Sequence, residues 1–156
     1  MKSLMRQVAE RGLHALVLRR TFVAPRACVF ACWTQPQLLR VWFAPPEFRV
    51  EAEVDAREGG GYRLALSDGS GRCVAVEGSF AEVSAPACLR FSFRWDDGSG
   101  GFEPRTSASV ELIARGAQTD MLFRQSDFLD AAASLSHEHG WREAFDRLRD
   151  LLGRRW

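Results

Sequence analysis

The feature that most constrains this chain is a long stretch, residues 49–125, in which apolar side chains recur at every second position. Residues 50–56 alternate valine and alanine with charged side chains, and residues 89–95 place leucine, two phenylalanines and a tryptophan on one side. Turn-forming glycine, proline and aspartate separate the alternating segments. A period of two is typical of strands that bury one face, so the stretch predicts about six antiparallel strands joined by hairpins.

The C-terminal end of the chain changes to a helical period. Residues 131–152 contain no proline, and one apolar stripe recurs at i, i+4, i+7 and i+11: Trp141, Phe145, Leu148 and Leu152. This pattern predicts a long amphipathic helix, with Asp130 or Ser134 positioned to cap its start.

Ahead of the sheet, the sequence predicts one strand and two short helices. Residues 16–23 alternate as a strand, Pro25 suits the first turn of a helix over 26–33, and Pro36 begins a second helix that ends before two prolines at 45 and 46. The resulting fold class is α+β. A hairpin-linked sheet with one apolar face must curl, and the long helix is the element that can cover it. Where the sheet bends more than the helix can fill, an apolar ligand cavity is expected.

Length and charge narrow the function classes. A chain of 156 residues has the usual size of one domain, so we expect a single domain over 1–156, with 1–14 as an N-terminal extension and 15–153 as the core. The net charge of +1 is too small for a nucleic-acid or anionic-membrane binder. No apolar run reaches the roughly 18 residues of a membrane span, and the N-terminus lacks the features of a secretory signal. We expect a cytoplasmic location and a monomer or weak homodimer.

Cysteine and histidine spacing gives no sign of a metal or a cofactor. The four cysteines are Cys28, Cys32, Cys73 and Cys88. They form no CxxC or other paired-ligand pattern, so in a reducing cytosol they are expected to be free thiols that pack as small hydrophobic side chains. The histidines, at positions 14, 137 and 139, have no zinc-binding spacing. We therefore predict no metal and no cofactor.

Several short segments, in a shared order, are similar to a known family. They are residues 20–25 (RTFVAP), 29–36 (VFACWTQP), 42–45 (WFAP), 55–63 (DAREGGGYR), 78–83 (GSFAEV), 89–91 (LRF) and 137–141 (HEHGW). With these segments, over roughly residues 15–153, the chain resembles the activator-of-Hsp90-ATPase homologue (AHSA1-like) branch of the START / Bet v 1-like superfamily, also called SRPBCC proteins.

The resemblance implies a helix-grip fold, in which a seven-stranded antiparallel sheet curls round the last helix and encloses a cavity. It does not imply one activity, because relatives include lipid carriers, hormone and polyketide binders, cyclases and co-chaperone domains. One position departs from some relatives: Gln125 stands where they carry histidine on the last strand, which removes a titrating group.

Three polar side chains are candidates for the cavity. Arg20 and Gln125 share the strand parity of apolar neighbours, so both are predicted to face inward. His137 lies four residues before Trp141, which places it on the inward stripe near the cavity mouth. Two interpretations stay open. Either these side chains orient a mostly apolar ligand, or they are structural, with Arg20 paired to a carboxylate at the sheet end and His137 packed in the core.

Apolar side chains are predicted to form the rest of the ligand site: Phe22, Trp42, Phe91, Phe93, Trp95, Met121, Phe123 and Trp141. No nucleophile, base and orienting group fall into one pattern, so we name no catalytic residue.

Three functions are consistent with these features. The first is non-enzymatic binding of a small hydrophobic or aromatic molecule in the cavity, which the lack of an evident acid–base pair favours. The second is a cyclase- or hydratase-type enzyme in which His137 or Asp127 moves a proton in the same cavity. The third is a co-chaperone-like interaction module that acts on an Hsp90-type ATPase through its surface.

Overall fold

The computed structural model describes residues 14–154. Its seven strands are β1 (His14–Phe22), β2 (Arg49–Val54), β3 (Gly61–Ser67), β4 (Cys73–Ser84), β5 (Cys88–Asp96), β6 (Thr106–Arg115) and β7 (Gln118–Phe128). The helices are α1 (Arg26–Thr34), α2 (Pro36–Trp42) and α3 (Ala131–Leu152). The element order and the antiparallel pairing confirm the predicted α+β helix-grip fold.

The strands form one open sheet in the order β1-β7-β6-β5-β4-β3-β2. From β2 to β7, each strand pairs with the next one in sequence. Strand β1 pairs instead with the last strand, β7, with Leu18 opposite Phe123. The first and last strands therefore meet at one end of the sheet, and β2 forms the opposite edge. The alternation of the sequence appears directly as burial, for instance in β6, where every second residue from Thr106 to Leu112 is buried.

Helix boundaries follow the local signals in the sequence. Pro25 precedes α1 as its N-cap residue, and Pro36 occupies the first turn of α2. At the start of α3, the carboxylate of Asp130 accepts a hydrogen bond of 2.7 Å from the backbone N–H of Ala133, which satisfies one of the free N–H groups of the first turn. Of the two predicted caps, Asp130 is therefore the one the helix uses.

The three helices cover different parts of the sheet. Helix α3 packs against β1 and β7, α1 against β6 and β7, and α2 against β2. Trp33 of α1 lies at the centre, with its ring centroid 5.8 Å from Trp141, 5.9 Å from Phe123 and 6.1 Å from Phe91. The β2–β5 half of the sheet meets α3 through side-chain rings, such as Phe93 against Trp141, and a space for a pocket lies on that half.

The N-terminal boundary differs slightly from the prediction. His14, assigned to the extension 1–14, begins β1 and pairs with Phe128 of β7, while the rest of that extension lies outside the described residues. Within residues 14–154, no helix combines the length and the apolar character that a membrane crossing requires.

The cysteines are all free thiols, but they do not all pack in the core. Cys32 is buried, Cys28 and Cys88 are partly buried, and Cys73 is exposed. The expectation of core packing is wrong for Cys73, because it is the first residue of β4 and pairs with Ser67 next to the loop of the β3–β4 hairpin, beyond the reach of the core.

We expect Cys73 to react with an aromatic disulfide reagent well before Cys32. Loss of solvation raises the pKa of Cys32 to about 12 and that of Cys88 to about 11. At pH 8, Cys32 should hold about a thousandth of the thiolate of an ordinary cysteine. Stopped-flow absorbance should show a fast thiol that Cys73→Ser removes, and an unchanged number of fast-reacting thiols in this variant would contradict the burial pattern.

Candidate functional site

An inner pocket lies between the β2–β5 half of the sheet and the two short helices. Its volume is about 30 Å³, which is room for about two water molecules. The lining residues are apolar or aromatic: Trp33, Leu39, Phe43, Val54, Tyr62, Leu64, Phe80, Leu89, Phe91, Phe93 and Trp141. The Tyr62 hydroxyl donates a 2.6 Å hydrogen bond to the Ser92 carbonyl, and burial raises its pKa, so this phenol is a protonated structural group.

A larger pocket, which we call the mouth pocket, adjoins the inner one and has a volume of about 270 Å³. Its walls are Phe43, Ala44, Pro45, Leu66, Phe93, Trp95, Glu103, Ser136, His137, Gly140, Trp141, Glu143, Ala144 and Arg147. Three of these rings, Phe43, Phe93 and Trp141, also line the inner pocket. Their centroids lie 5.9 Å (Phe43 to Trp141) and 5.5 Å (Phe93 to Trp141) apart. These three rings therefore separate the two pockets.

A buried chain of hydrogen bonds links the ring of Trp141 to the backbone of Phe93. The indole N–H of Trp141 donates to Gln125 Oε1 at 2.7 Å, and Gln125 Nε2 donates to Thr106 Oγ1 at 2.9 Å. The Thr106 hydroxyl then donates to the carbonyl of Phe93 at 2.9 Å. Gln125 is completely buried and lies in the wall of neither pocket. Gln125 positions Trp141 through this hydrogen bond. Its side chain faces inward, as its strand parity predicted.

Arg147 closes the rim between α2 and α3. Its Nε and Nη2 donate to the carbonyls of Trp42 (3.0 Å) and Phe43 (3.3 Å), at the end of α2 where carbonyls lack helical partners. Desolvation lowers the pKa of this guanidinium. Arg147 thus ties the short helix, and with it the Phe43 ring, to the long one.

His137 and Glu103 are the polar pair of the mouth pocket. The Nε2 atom of His137 lies 3.1 Å from Glu103 Oε2, and the His137 side chain is only 9% exposed. Its ring packs between Phe93 (5.8 Å) and Phe128 (4.8 Å). His137 therefore stands where the helical stripe predicted it, at the pocket mouth.

Arg20 lies elsewhere, on the β1–α3 side of the fold. It donates to Asp146 Oδ1 at 2.8 Å and to the Arg142 carbonyl at 3.1 Å, and its guanidinium lies 6.0 Å from the centroid of the Phe145 ring. The hydrogen bond from Arg20 lowers the pKa of Asp146. The geometry matches the structural interpretation of Arg20, with the carboxylate supplied by the helix.

The predicted apolar wall residues divide into two groups. Those that line one or both pockets are Phe91, Phe93, Trp95 and Trp141. Those that pack in the core outside both walls are Phe22, Trp42, Met121 and Phe123. Asp127, the alternative proton-moving group, is exposed, has a positive φ of 73° and lines neither pocket.

Sequence reasoning missed several pocket residues, above all Phe43, Glu103, Glu143 and Arg147. A signal existed for the helical ones, because 136, 140, 143 and 147 follow the i, i+4, i+7 spacing of one face beside the buried stripe. Glu103 carried no such signal, since it lies in an irregular loop. Among residues 14–154, no three His, Cys, Asp or Glu side chains gather in a way that could hold a metal ion.

A family model described as Activator of Hsp90 ATPase homolog 1-like protein matches residues 23–153. No curated protein matches the chain.

Solved bacterial structures share the fold. A protein from Chromobacterium violaceum is 26% identical with a TM-score of 0.79, covering 88% of this chain and 96% of its own. A protein from Rhizobium leguminosarum is 25% identical with a TM-score of 0.80, covering 92% and 96%. The AHSA1 protein from Silicibacter pomeroyi is 22% identical with a TM-score of 0.80, covering 90% and 98%.

We expect Gln125→Leu to destabilise the protein by about 1–3 kcal/mol, because it leaves the Trp141 indole N–H without its buried acceptor. Denaturant unfolding measures the loss, and a shift in tryptophan emission should accompany it. Gln118→Leu, at the exposed start of β7, is the matched control. An unchanged midpoint for Gln125→Leu would show that the buried chain is not needed to hold the ring.

Proposed function

We propose that this chain, which belongs to the Activator of Hsp90 ATPase homolog 1-like protein family, is a binding protein for a small molecule of one or two apolar rings. The ligand would bind in its pockets. The observation that carries this proposal is the pair of pockets separated by the rings of Phe43, Phe93 and Trp141. Aromatic walls with a few polar groups at the rim are the usual composition of a ligand site.

The volumes favour a small ligand. Pockets for drug-sized molecules usually measure about 300–1,000 Å³, whereas the mouth pocket measures about 270 Å³ and the inner pocket about 30 Å³. One or two rings fit the mouth pocket, with a methyl-sized group directed past Trp141 into the inner one. A long acyl chain would require α2 to move away from the sheet.

The walls supply affinity without chemistry. Burying an apolar ring gives a favourable transfer free energy, and rings at 5–6 Å spacing offer both edge and face contacts. The Arg147 guanidinium already serves two carbonyls, and Asp127 lines neither pocket. Of the two candidate proton-moving groups, only His137 lines a pocket, and its Nε2 is engaged by Glu103.

Gly140 of α3 offers a way to fill the mouth pocket without disturbing its walls. It lies between pocket-lining residues at 136–137 and 143–144, and a Cβ added there would have no atom within 4 Å. We expect Gly140→Phe to weaken binding of toluene and anisole by at least about tenfold, because the new ring occupies their space. Amide chemical shifts measured in a titration would report both affinity and location.

The matched control is Gly140→Ala. It adds a single methyl group and removes the entropic cost of glycine in a helix, so it should stabilise the fold by about 0.5–1 kcal/mol and leave affinity nearly unchanged. Shifts confined to the outer face of the sheet, or equal affinity for the Phe variant, would refute the pocket as the binding site.

A second candidate, activation of an Hsp90-type ATPase, rests on the family's description. The chain would bind this partner in the cytoplasm, the location that the sequence predicts for it. Its test is the ATPase rate of an Hsp90-type protein from the same organism, with and without the chain. A rate increase that Gly140→Phe does not alter would favour surface interaction, and an unchanged rate would leave ligand binding as the proposal.

A further inference from the structure

The hydrogen-bonded pair of His137 and Glu103 determines what the mouth pocket presents to a ligand. Glu103 lies in the β5–β6 loop, and its backbone N–H donates to the Trp95 carbonyl at 2.9 Å. This bond fixes the loop where its carboxylate meets His137 Nε2 at 3.1 Å. The imidazole is in turn held between the rings of Phe93 and Phe128. Both members of the pair are therefore held in place by neighbouring groups.

The chemistry of the partner selects the tautomer of His137. The Glu103 side chain is 53% exposed, and an ionised carboxylate only accepts hydrogen bonds. The bond at 3.1 Å therefore requires that Nε2 carry the proton. In a neutral imidazole the other nitrogen, Nδ1, is then a lone-pair acceptor.

The second ring nitrogen, Nδ1, remains for a ligand. It makes no hydrogen bond within residues 14–154. The buried side-chain nitrogen and oxygen atoms of these residues that lack a partner are Trp33 Nε1 and Arg94 Nε, so Nδ1 keeps accessible surface although the side chain as a whole is 9% exposed. His137 lines the mouth pocket, so Nδ1 is the nitrogen of this ring that a bound molecule can use.

We infer that His137, in its neutral form, makes the mouth pocket select ring molecules that carry a hydrogen-bond donor, such as a phenolic hydroxyl, over similar rings that offer only an acceptor. This inference rests on the proposed function, since it concerns the specificity of the same pocket. Glu103 is the positioning residue: it holds the tautomer, and the imidazole makes the contact.

The other charged groups of the pocket wall can be told apart from His137 by experiment. Arg147 directs two of its donors to backbone carbonyls, and a guanidinium would favour acceptors. Glu143 also offers acceptor oxygens to the pocket, but it is 56% exposed and its carboxylate lies 3.3 Å from His139. A preference for donors that depends on His137 is thus separable from the charge of the rim.

The test compares phenol with anisole, its methyl ether, which has the same ring and oxygen but no donor. Anisole is the more apolar, so the measured quantity is the ratio of the two dissociation constants. In His137→Phe, where the acceptor is gone, that ratio should shift by about three- to tenfold against phenol, the worth of one net hydrogen bond. Amide shifts would confirm that both probes occupy the mouth pocket.

Two variants separate the tautomer from the charge. In Glu103→Gln the amide can donate as well as accept, so both tautomers are allowed and the preference for phenol should fall. Glu143→Gln removes the same charge from the wall without contacting the imidazole, and it should keep the wild-type ratio. Nitrogen-15 spectra of the histidine ring should show the Nε2-protonated tautomer in the wild type and a mixture in Glu103→Gln.

The outcomes distinguish this inference from the proposed function. If neither probe binds, the proposed function fails. If both bind in the pocket with a ratio that His137→Phe and Glu103→Gln leave unchanged, the pocket is a ligand site but His137 does not set its specificity. A ring proton found on Nδ1 in the wild type would overturn the inference directly.

Discussion

The position of Trp141 on the sheet is the contact on which the rest of the site depends. Its ring centroid lies 4.6 Å from that of Phe123, and its indole N–H donates to the buried amide of Gln125 at 2.7 Å. An apolar contact alone would leave the helix free to slide or rotate, because dispersion forces have little direction. The hydrogen bond fixes the ring, and a buried donor deprived of it would cost free energy.

With Trp141 fixed, α3 packs against β1 and β7 and leaves the β2 end of the sheet to α2. A helix of seven residues, α2, has too few side chains to fill the concave surface of β2–β5. Arg147 anchors the end of α2 to α3 through the Trp42 and Phe43 carbonyls. The pocket is therefore the space left between a rigid contact at Trp141 and a short, tethered helix.

The same rigidity explains why the rim can be selective. A hydrogen bond discriminates between ligands only if its protein partner cannot turn away. His137 is held by two rings and a carboxylate, and the loop bearing Glu103 is held by a backbone hydrogen bond to β5. Arg20, in contrast, forms an ion pair with Asp146 and stabilises the contact between β1 and α3, away from the pocket.

The sequence determined the elements, because the periods of two and of 3.6 residues are local properties that burial of one face imposes. It therefore predicted the sheet, the long helix, the inward Gln125 and the location of His137. Tertiary structure decided which half of the sheet α3 covers, and so where the pocket lies. It also decided the partners: Asp146 for Arg20 and Glu103 for His137 stand 126 and 34 residues away in sequence. No local pattern encodes such pairings, since they arise only when packing brings distant segments within hydrogen-bond reach.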